Sequence, residues 1–238
     1  MLRDPSRKQQ LVTPMFDLVA PRYDAFTRAF SFGMDARWKR ALVARVAAAA
    51  PRGARVVDVA CGTGDLAFAL AAARPDLAIT GVDASPGMLA LATARRDARR
   101  LPNVQLIEGD LARLALPDAS VDVVTGGYAV RNAPSWPAAI EELARVLRPG
   151  GLLCALDFFR PDPALWRALY LGYLSAAGRI VGWWWHREPM AYGYIARSIL
   201  HFTSATGFSH ALEAAGFRVE RVDRRLLGGI ALHEAVRR

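Results

Sequence analysis

From residue 55 onward the chain alternates short, nearly all-apolar runs with amphipathic ones, and no other feature restricts its fold as much. Residues 55–60 (RVVDVA), 77–83 (LAITGVD), 104–110 (VQLIEGD), 121–126 (VDVVTG) and 152–158 (LLCALDF) read as strands. Residues 65–73, 86–99 and 137–147 read as helices between them. The first ends before Pro75, the second is capped by Ser85 and opened by Pro86, and the third stops at Arg148-Pro149-Gly150-Gly151. Parallel neighbours need a crossover connection, which a helix supplies, and strands apolar on both faces are covered on both faces. Two further strands, around 218–226 and 230–236, complete the expectation. It is an α/β fold with a doubly wound, mostly parallel seven-stranded sheet.

The loop Val57-Asp58-Val59-Ala60-Cys61-Gly62-Thr63-Gly64-Asp65 joins the first strand to its helix. Gly62 and Gly64 let the backbone come close to a ligand where a Cβ would block it. Asp83 ends the second strand 19 residues after Gly64, the usual place for a carboxylate that binds a ribose diol, and Asp110 ends the third. A dinucleotide fingerprint would need glycine at Ala60, and its pyrophosphate would be repelled by Asp58 and Asp65. A sulfonium cofactor tolerates these acids, so the electrostatics favour S-adenosylmethionine over NAD. The plain alternative, a tight turn with no ligand, leaves acids at three consecutive strand ends unexplained. Cys61 reads as loop filler, because no base is paired with it.

A chain of 238 residues suits one elaborated domain, and a composition 53% hydrophobic and 22% charged excludes a disordered or fibrous chain. The expected organisation is a single domain. It has a helical lid (1–50), a cofactor-binding core (51–160), a helical cover after strand five (161–210) and closing strands (211–238). Residues 1–10 are polar and basic and read as frayed. Residues 11–50 are helical in pattern, with Trp38, Leu42, Arg45 and Val46 at helical spacing before Pro51-Arg52-Gly53. Two cysteines, Cys61 and Cys154, build neither a disulfide framework nor a zinc site, and no paired metal-ligand spacing is present.

The first residues lack the apolar region of a signal peptide. The longest apolar stretch, 168–185, is broken by Arg179 and weakened by Gly172, Gly178 and Gly182, so it reads as a buried or interfacial helix. A cytoplasmic location is expected. The net charge of +9 suits an anionic membrane surface, an acidic substrate or nucleic acid. No nucleic-acid module is recognisable and the arginines are scattered, which speaks against nucleic acid. Trp183-Trp184-Trp185 beside Arg179 and Arg187 reads as an anchor for peripheral contact with an anionic membrane. Whether the chain forms a homodimer is left open.

Over most of its length the chain resembles the ubiquinone/menaquinone biosynthesis C-methyltransferases, which are class I methyltransferases of Rossmann-like fold. The resemblance is carried by Phe16-Asp17-Leu18-Val19-Ala20-Pro21-Arg22-Tyr23-Asp24, Ser31-Phe32-Gly33 and Trp38-Lys39-Arg40 in the lid. In the core it is carried by the loop from Asp58 to Asp65 and by Gly81-Val82-Asp83-Ala84-Ser85-Pro86-Gly87-Met88-Leu89. Arg131-Asn132 matches a family-specific pair, and Gly228-Gly229-Ile230-Ala231-Leu232-His233 resembles the last strand. Arg145-Val146-Leu147-Arg148-Pro149-Gly150-Gly151 is shared by many methyltransferases and discriminates little. The departures fall on the substrate side. Ala25-Phe26-Thr27 stands where the family usually has Met-Asn-Asp, a His common before Trp38-Lys39 is replaced near Asp35, and Tyr128-Ala129-Val130 stands where Phe-Gly-Leu is usual.

The resemblance implies S-adenosylmethionine contacts at Thr63, Asp83, Asp110, Leu111 and Gly127, the last where the family carries Ser. Asp83 would take the ribose hydroxyls and Asp110 the adenine amino group. Asp58 and Asp65 would lie near the methionine ammonium, with Ala60, Gly62, Gly64, Ala84 and Met88 completing the cradle. It also implies C-methylation of a prenylated quinol in menaquinone or ubiquinone biosynthesis. A quinol carbon becomes nucleophilic as a ring hydroxyl approaches phenolate. Arg131, charged at any useful pH, is the candidate oxyanion partner, and Asn132 would orient a ring oxygen or water. Tyr23, Asp157 and His233 are the candidate bases. The blander readings are lid packing for Tyr23, a strand-end cap for Asp157, a core histidine for His233 and a surface salt bridge for Arg131. The aromatic segments 16–38 and 166–194 would cover the site and receive the tail, or merely pack. Two other functions stay open: methylation of another phenolic molecule or lipid, and cofactor binding without transfer.

Overall fold

The structure is a computed structural model that describes residues 5–185 and 189–238; the side chains of residues 5, 6, 9, 26, 30 and 178–193 fall outside that description. Three helices lead in: α1 (Pro5–Val19), α2 (Tyr23–Phe30) and α3 (Met34–Ala49), with a 3-10 turn, Ala20–Arg22, after α1. The core alternates as expected: β1 (Arg55–Val59), α4 (Asp65–Ala73), β2 (Ala78–Asp83), α5 (Pro86–Arg99), β3 (Val104–Glu108), β4 (Val121–Gly127), α6 (Trp136–Val146) and β5 (Leu147–Phe158). The cover is α7 (Ala164–Trp185) and α8 (Pro189–His201), and α9 (Ala205–Ala214), β6 (Phe217–Arg225) and β7 (Ile230–Arg237) close the chain.

The seven strands run in the order β3-β2-β1-β4-β5-β7-β6, parallel from β3 to β5 and antiparallel at β7 and β6. Successive strand residues point to opposite faces. Val56, Val123, Leu152, Cys154 and Leu156 pack under α3 and α4 with Trp38, Leu42, Phe68 and Leu70. Their neighbours Val57, Val124, Leu153 and Ala155 pack with Ile140 and Leu143 of α6 and Phe208 and Leu212 of α9. The order reverses between β1 and β4, so the crevice at their carboxyl ends is where such a sheet binds ligands.

Several expectations are corrected. Residues 5–10 belong to α1, and Lys8 is only 7% exposed, so this end is tied down. The fifth strand starts at Leu147, because Arg148-Pro149-Gly150-Gly151 continues it through a left-handed Gly150 (φ 75°) where the register with β4 shifts. The third strand ends at Glu108, leaving Asp110 in an isolated bridge to Arg113. Helix α9 crosses the expected 210/211 boundary and belongs to the sheet's own core through Phe208 and Leu212. The expected anchor at Trp183-Trp184-Trp185, with Arg179 and Arg187, lies outside the described side chains. Among the described residues no helix is long and apolar enough to cross a membrane.

Candidate active site

The loop after β1 holds three residues at positive φ: Ala60 (49°), Gly62 (55°) and Gly64 (87°). A Cβ on Gly64 would lie 2.3 Å from the ring of Phe68 in α4, and its φ is left-handed, so glycine suits this helix start. The loop is held by Asp83. Its Oδ2 accepts from the Gly62 amide at 2.7 Å and its Oδ1 from the Ser85 amide at 2.9 Å. Ser85 caps α5 by accepting from Met88 N at 3.1 Å. Burial pushes the Asp83 carboxyl above the usual range against the pull of these amides.

A cavity opens over this loop. Ala60, Gly62, Asp83, Ala84, Met88, Asp110, Leu111 and Gly127 line it. So do Tyr23, Tyr128, Asn132 and the α1 residues Val12 and Phe16. A Cβ on Gly127 would sit 2.8 Å from Leu66 Cδ1, so a larger residue there requires the Leu66 side chain to shift. Among the described residues no Lys, Arg or His lines this cavity, although the chain carries +9 overall. A pyrophosphate would find no cation here, whereas a sulfonium-bearing nucleoside meets two acids and an apolar wall. These residues therefore fit S-adenosylmethionine.

Four of the expected cofactor residues do not line the cavity. Asp58 is 1% exposed inside β1, where it accepts from Thr125 Oγ1 at 2.8 Å, and burial pushes it up to about 7. It ties β1 to β4 from within. Asp65 pairs with Lys39 at 3.1 Å, Thr63 Oγ1 donates to Asp24 at 2.8 Å, and Gly64 serves the turn. The last contact belongs to a latch between lid and core. Asp24 also meets Arg95 at 2.5 Å, and Asp17 accepts from Ser85 Oγ at 2.5 Å and Gly87 N at 3.0 Å.

The expected catalytic residues separate into two groups. Tyr23 and Asn132 line the cavity, and burial pushes the Tyr23 phenol up. The Asn132 amide is fixed at both ends: Nδ2 donates to Tyr128 O at 2.8 Å, and Oδ1 accepts from Tyr194 OH at 3.0 Å. Among the described residues one Asn132 N–H is left for a ligand.

Arg131 and Asp157 form a buried pair behind the wall, 4% and 1% exposed. Arg131 Nε stands 3.4 Å from Asp157, its backbone N–H donates to the same carboxylate at 3.0 Å, Nη1 bonds Ser198 Oγ, and the guanidinium covers the Phe158 ring. Arg131 is thus no surface salt bridge, and its guanidinium does not line the cavity. Burial raises Asp157 while Arg131 opposes it. Asp157 is a buried counter-ion here, not a base exposed to the cavity.

His233 lies in the core, wholly buried between Phe159 and Phe208, with Nε2 at 3.0 Å from the Ala205 carbonyl. Burial lowers it to about 4, so it is neutral, and it does not line the cavity.

Sequence reasoning missed Lys8, Asp17, Tyr194 and Ser198. Lys8 Nζ donates to the carbonyls of Arg131 at 2.8 Å and Ala133 at 2.5 Å, so α1 clasps the turn that carries Arg131 and Asn132. Burial, helped by Arg131, lowers Lys8 to about 8. A lysine in a polar end segment carries no signal of such a contact; it depends on tertiary distance alone.

Three comparisons bear on this geometry. The profile of the ubiE/COQ5 methyltransferase family matches residues 5–237. The demethylmenaquinone methyltransferase of Deinococcus radiodurans is 39% identical over 228 residues, covering 96% of this chain and 92% of that protein. The ubiquinone/menaquinone biosynthesis C-methyltransferase UbiE of Rubrivivax gelatinosus is 37% identical over 235 residues, 98% and 90% of the two chains. Among solved structures, a SAM-dependent methyltransferase from Aquifex aeolicus superposes with a TM-score of 0.55 at 19% identity, over 98% of this chain and 97% of that one. That last likeness speaks for the fold alone.

Proposed function

Because this chain belongs to the ubiE/COQ5 methyltransferase family, we propose that its cavity places a prenylated quinol against S-adenosylmethionine for methylation at a ring carbon. The enzyme is a SAM-dependent C-methyltransferase of quinone biosynthesis. The observation that carries the acceptor reading is the lining of the cavity, which brings Asp83 and Asp110 together with Phe16, Tyr23, Tyr128 and the fixed Asn132 amide, with no basic side chain among the described lining residues. The cofactor, when bound, supplies an electrophilic methyl group. Everything else falls to the chain: holding the ring, keeping water out and favouring negative charge on a ring oxygen.

Asn132 is the side chain placed to donate to that oxygen, through its free N–H. Arg131 acts through space. Its charge pulls down the phenols of Tyr23, Tyr170 and Tyr194 against the upward push of burial, while Asp157 pushes Tyr128, Tyr170 and Tyr194 up, so it is beside Tyr23 that the field of Arg131 favours an anion without touching it. Tyr23 has its acidity suppressed by burial and remains a donor, which fits it to bind a ring oxygen better than to remove a proton. Placement of the ring is itself worth up to about 7–11 kcal/mol of barrier in well-aligned cases.

The reduced acceptor is the expected substrate, because an oxidised quinone is too electron-poor to attack a sulfonium. The test supplies quinone extracts with and without reductant and locates the new methyl by mass spectrometry. A product heavier by one methyl on carbon, formed with reductant, is expected. Methyl on oxygen or nitrogen, or equal turnover of the oxidised form, would overturn the reading in favour of another phenolic acceptor or lipid.

A cytoplasmic protein touching an anionic membrane is part of the same proposal, and an exposed apolar stripe supports it. Leu165, Leu169 and Tyr173 recur every four residues on one side of α7, exposed by 76%, 58% and 44%. Phe32, 75% exposed, stacks on Tyr173, and Trp166 Nε1 bonds the Leu226 carbonyl, bringing the exposed Leu227 near. Stripes of this kind mark interaction surfaces. Leu165→Gln with Leu169→Gln should lower co-sedimentation with anionic vesicles about tenfold or more, since each buried leucine contributes about 1.5–3 kcal/mol. Unchanged binding counts against the stripe, and a dimer that dissociates in the variant assigns it to a homodimer.

A further inference from the structure

A second cleft, of about 350 Å³, adjoins the methyl-transfer cavity. Arg131 lines this cleft, Asn132 lines the cavity and Pro134 lines both, so the 131–134 turn is their common wall. Four cationic or ionisable side chains converge on the cleft from different elements: Lys8 of α1, Arg131 of the turn, Arg160 after β5 and His201 at the end of α8. Among the described residues no Asp or Glu lines it. Elsewhere the arginines are paired with acids, as Arg74, Arg145 and Arg148 are with Asp76, Glu142 and Asp122.

The cations of the cleft are poorly compensated. Arg160 and His201 are exposed, and their side chains make no hydrogen bond or ion pair among the described residues. Lys8 is 7% exposed, and two of its three N–H groups go to the carbonyls of Arg131 and Ala133, with no carboxylate beside them. Burial and then Arg131 lower it to about 8, and Asp157 restores less than Arg131 takes away. Asp157 answers Arg131 from within the core and does not line the cleft. The first turn of α6, where Ser135 makes no side-chain cap, is part of the same wall, and its N–H groups and dipole add to the positive potential. Like charges gathered in this way repel one another, and an anion between them removes that cost.

We propose that this cleft is a binding site for a phosphate group, held by Arg160 and His201 at its mouth above Lys8. The Arg160 fork matches two phosphate oxygens, and His201 and the remaining Lys8 N–H donate to the others. A lipid phosphate and a free phosphate or phosphorylated small molecule share this chemistry. Leu200, 48% exposed on the same rim, gives an acyl chain a place to lie. The site does not depend on which acceptor the methyl-transfer cavity takes.

The test titrates the full-length protein with inorganic phosphate by calorimetry, at constant ionic strength against chloride. One saturable site is expected, with a melting temperature higher in phosphate than in chloride. Arg160→Gln with His201→Gln should weaken phosphate binding about tenfold or more. Its melting temperature in chloride and its affinity for S-adenosylmethionine should match the wild type, because neither side chain has a partner in the fold. A second arm compares co-sedimentation with phosphatidylcholine vesicles carrying phosphatidic acid or, at matched charge, phosphatidylglycerol. Preference for phosphatidic acid that disappears in the double variant identifies a lipid phosphate; phosphate binding without that preference identifies a soluble one. The site is overturned if neither phosphate nor phosphatidic acid binds, or if the double variant binds both as the wild type does. Competition between phosphate and S-adenosylmethionine also overturns it, by moving the anion into the other cavity.

Discussion

Asp83→Ala is expected to weaken S-adenosylmethionine binding about a hundredfold by calorimetry. Two losses add in the same direction. A carboxylate donates nothing and accepts strongly, and each charged hydrogen bond it makes to a ligand hydroxyl contributes about 1.5–3 kcal/mol. The carboxylate also builds its own surroundings, since Gly62 N and Ser85 N both end on it. With alanine those amides lose their acceptor, and the glycine loop loses what holds it at the end of β2. Asp83→Asn keeps one acceptor and should lose about tenfold.

The pH dependence separates the two variants. Burial raises Asp83 above the usual carboxylate range. Wild-type binding should therefore weaken as pH falls through that raised value, while the asparagine variant shows no such step. Wild-type affinity in Asp83→Ala would remove Asp83 from the cofactor site.

The second large effect concerns Arg131. Arg131→Gln should lower kcat on the order of 10², within reach of what removing an oxyanion-stabilising charge costs, and leave cofactor affinity nearly unchanged. It should also destabilise the fold. Asp157 is 1% exposed, and its charge is compensated by Arg131 and by two backbone amides, those of Arg131 and Phe158. Breaking a buried pair from one side typically costs about 3–5 kcal/mol, less whatever protonation of the stranded carboxyl recovers.

Arg131→Gln with Asp157→Asn tells the two roles apart. Removing both charges should restore much of the melting temperature, because no uncompensated ion is left, but not the rate, because the cation's field is still missing. A double variant with wild-type kcat would make the pair purely structural. Arg131→Lys keeps a charge but not the fork that spans Asp157 and Ser198, and it should fall between the two.

The sheet and the cofactor loop were legible in the sequence because local chemistry specifies them. Runs such as VVDV and LLCALDF are too apolar to face water on either side, and the Ser85-Pro86 start and Gly62 and Gly64 satisfy backbone demands that arise within a few residues. Asp83 was readable because a strand end fixes where its last side chain sits, and Asp110 because it follows the end of β3 by only two residues. What the sequence determined is therefore the α/β fold, its order of elements and the two acids, Asp83 and Asp110, that line the cavity.

The acceptor end was decided by tertiary distance. Whether Arg131 faces the ligand or a counter-ion depends on Asp157 and Ser198, 26 and 67 residues away in sequence. Lys8 reaches the same turn across 123 residues. His233 and Asp58 have the composition of functional groups and the surroundings of core ones. Residue type states what a side chain can do chemically. Which of these groups meets the cavity, and which spends its bonds inside the fold, follows only from the packing of helices and strands that brings distant segments together.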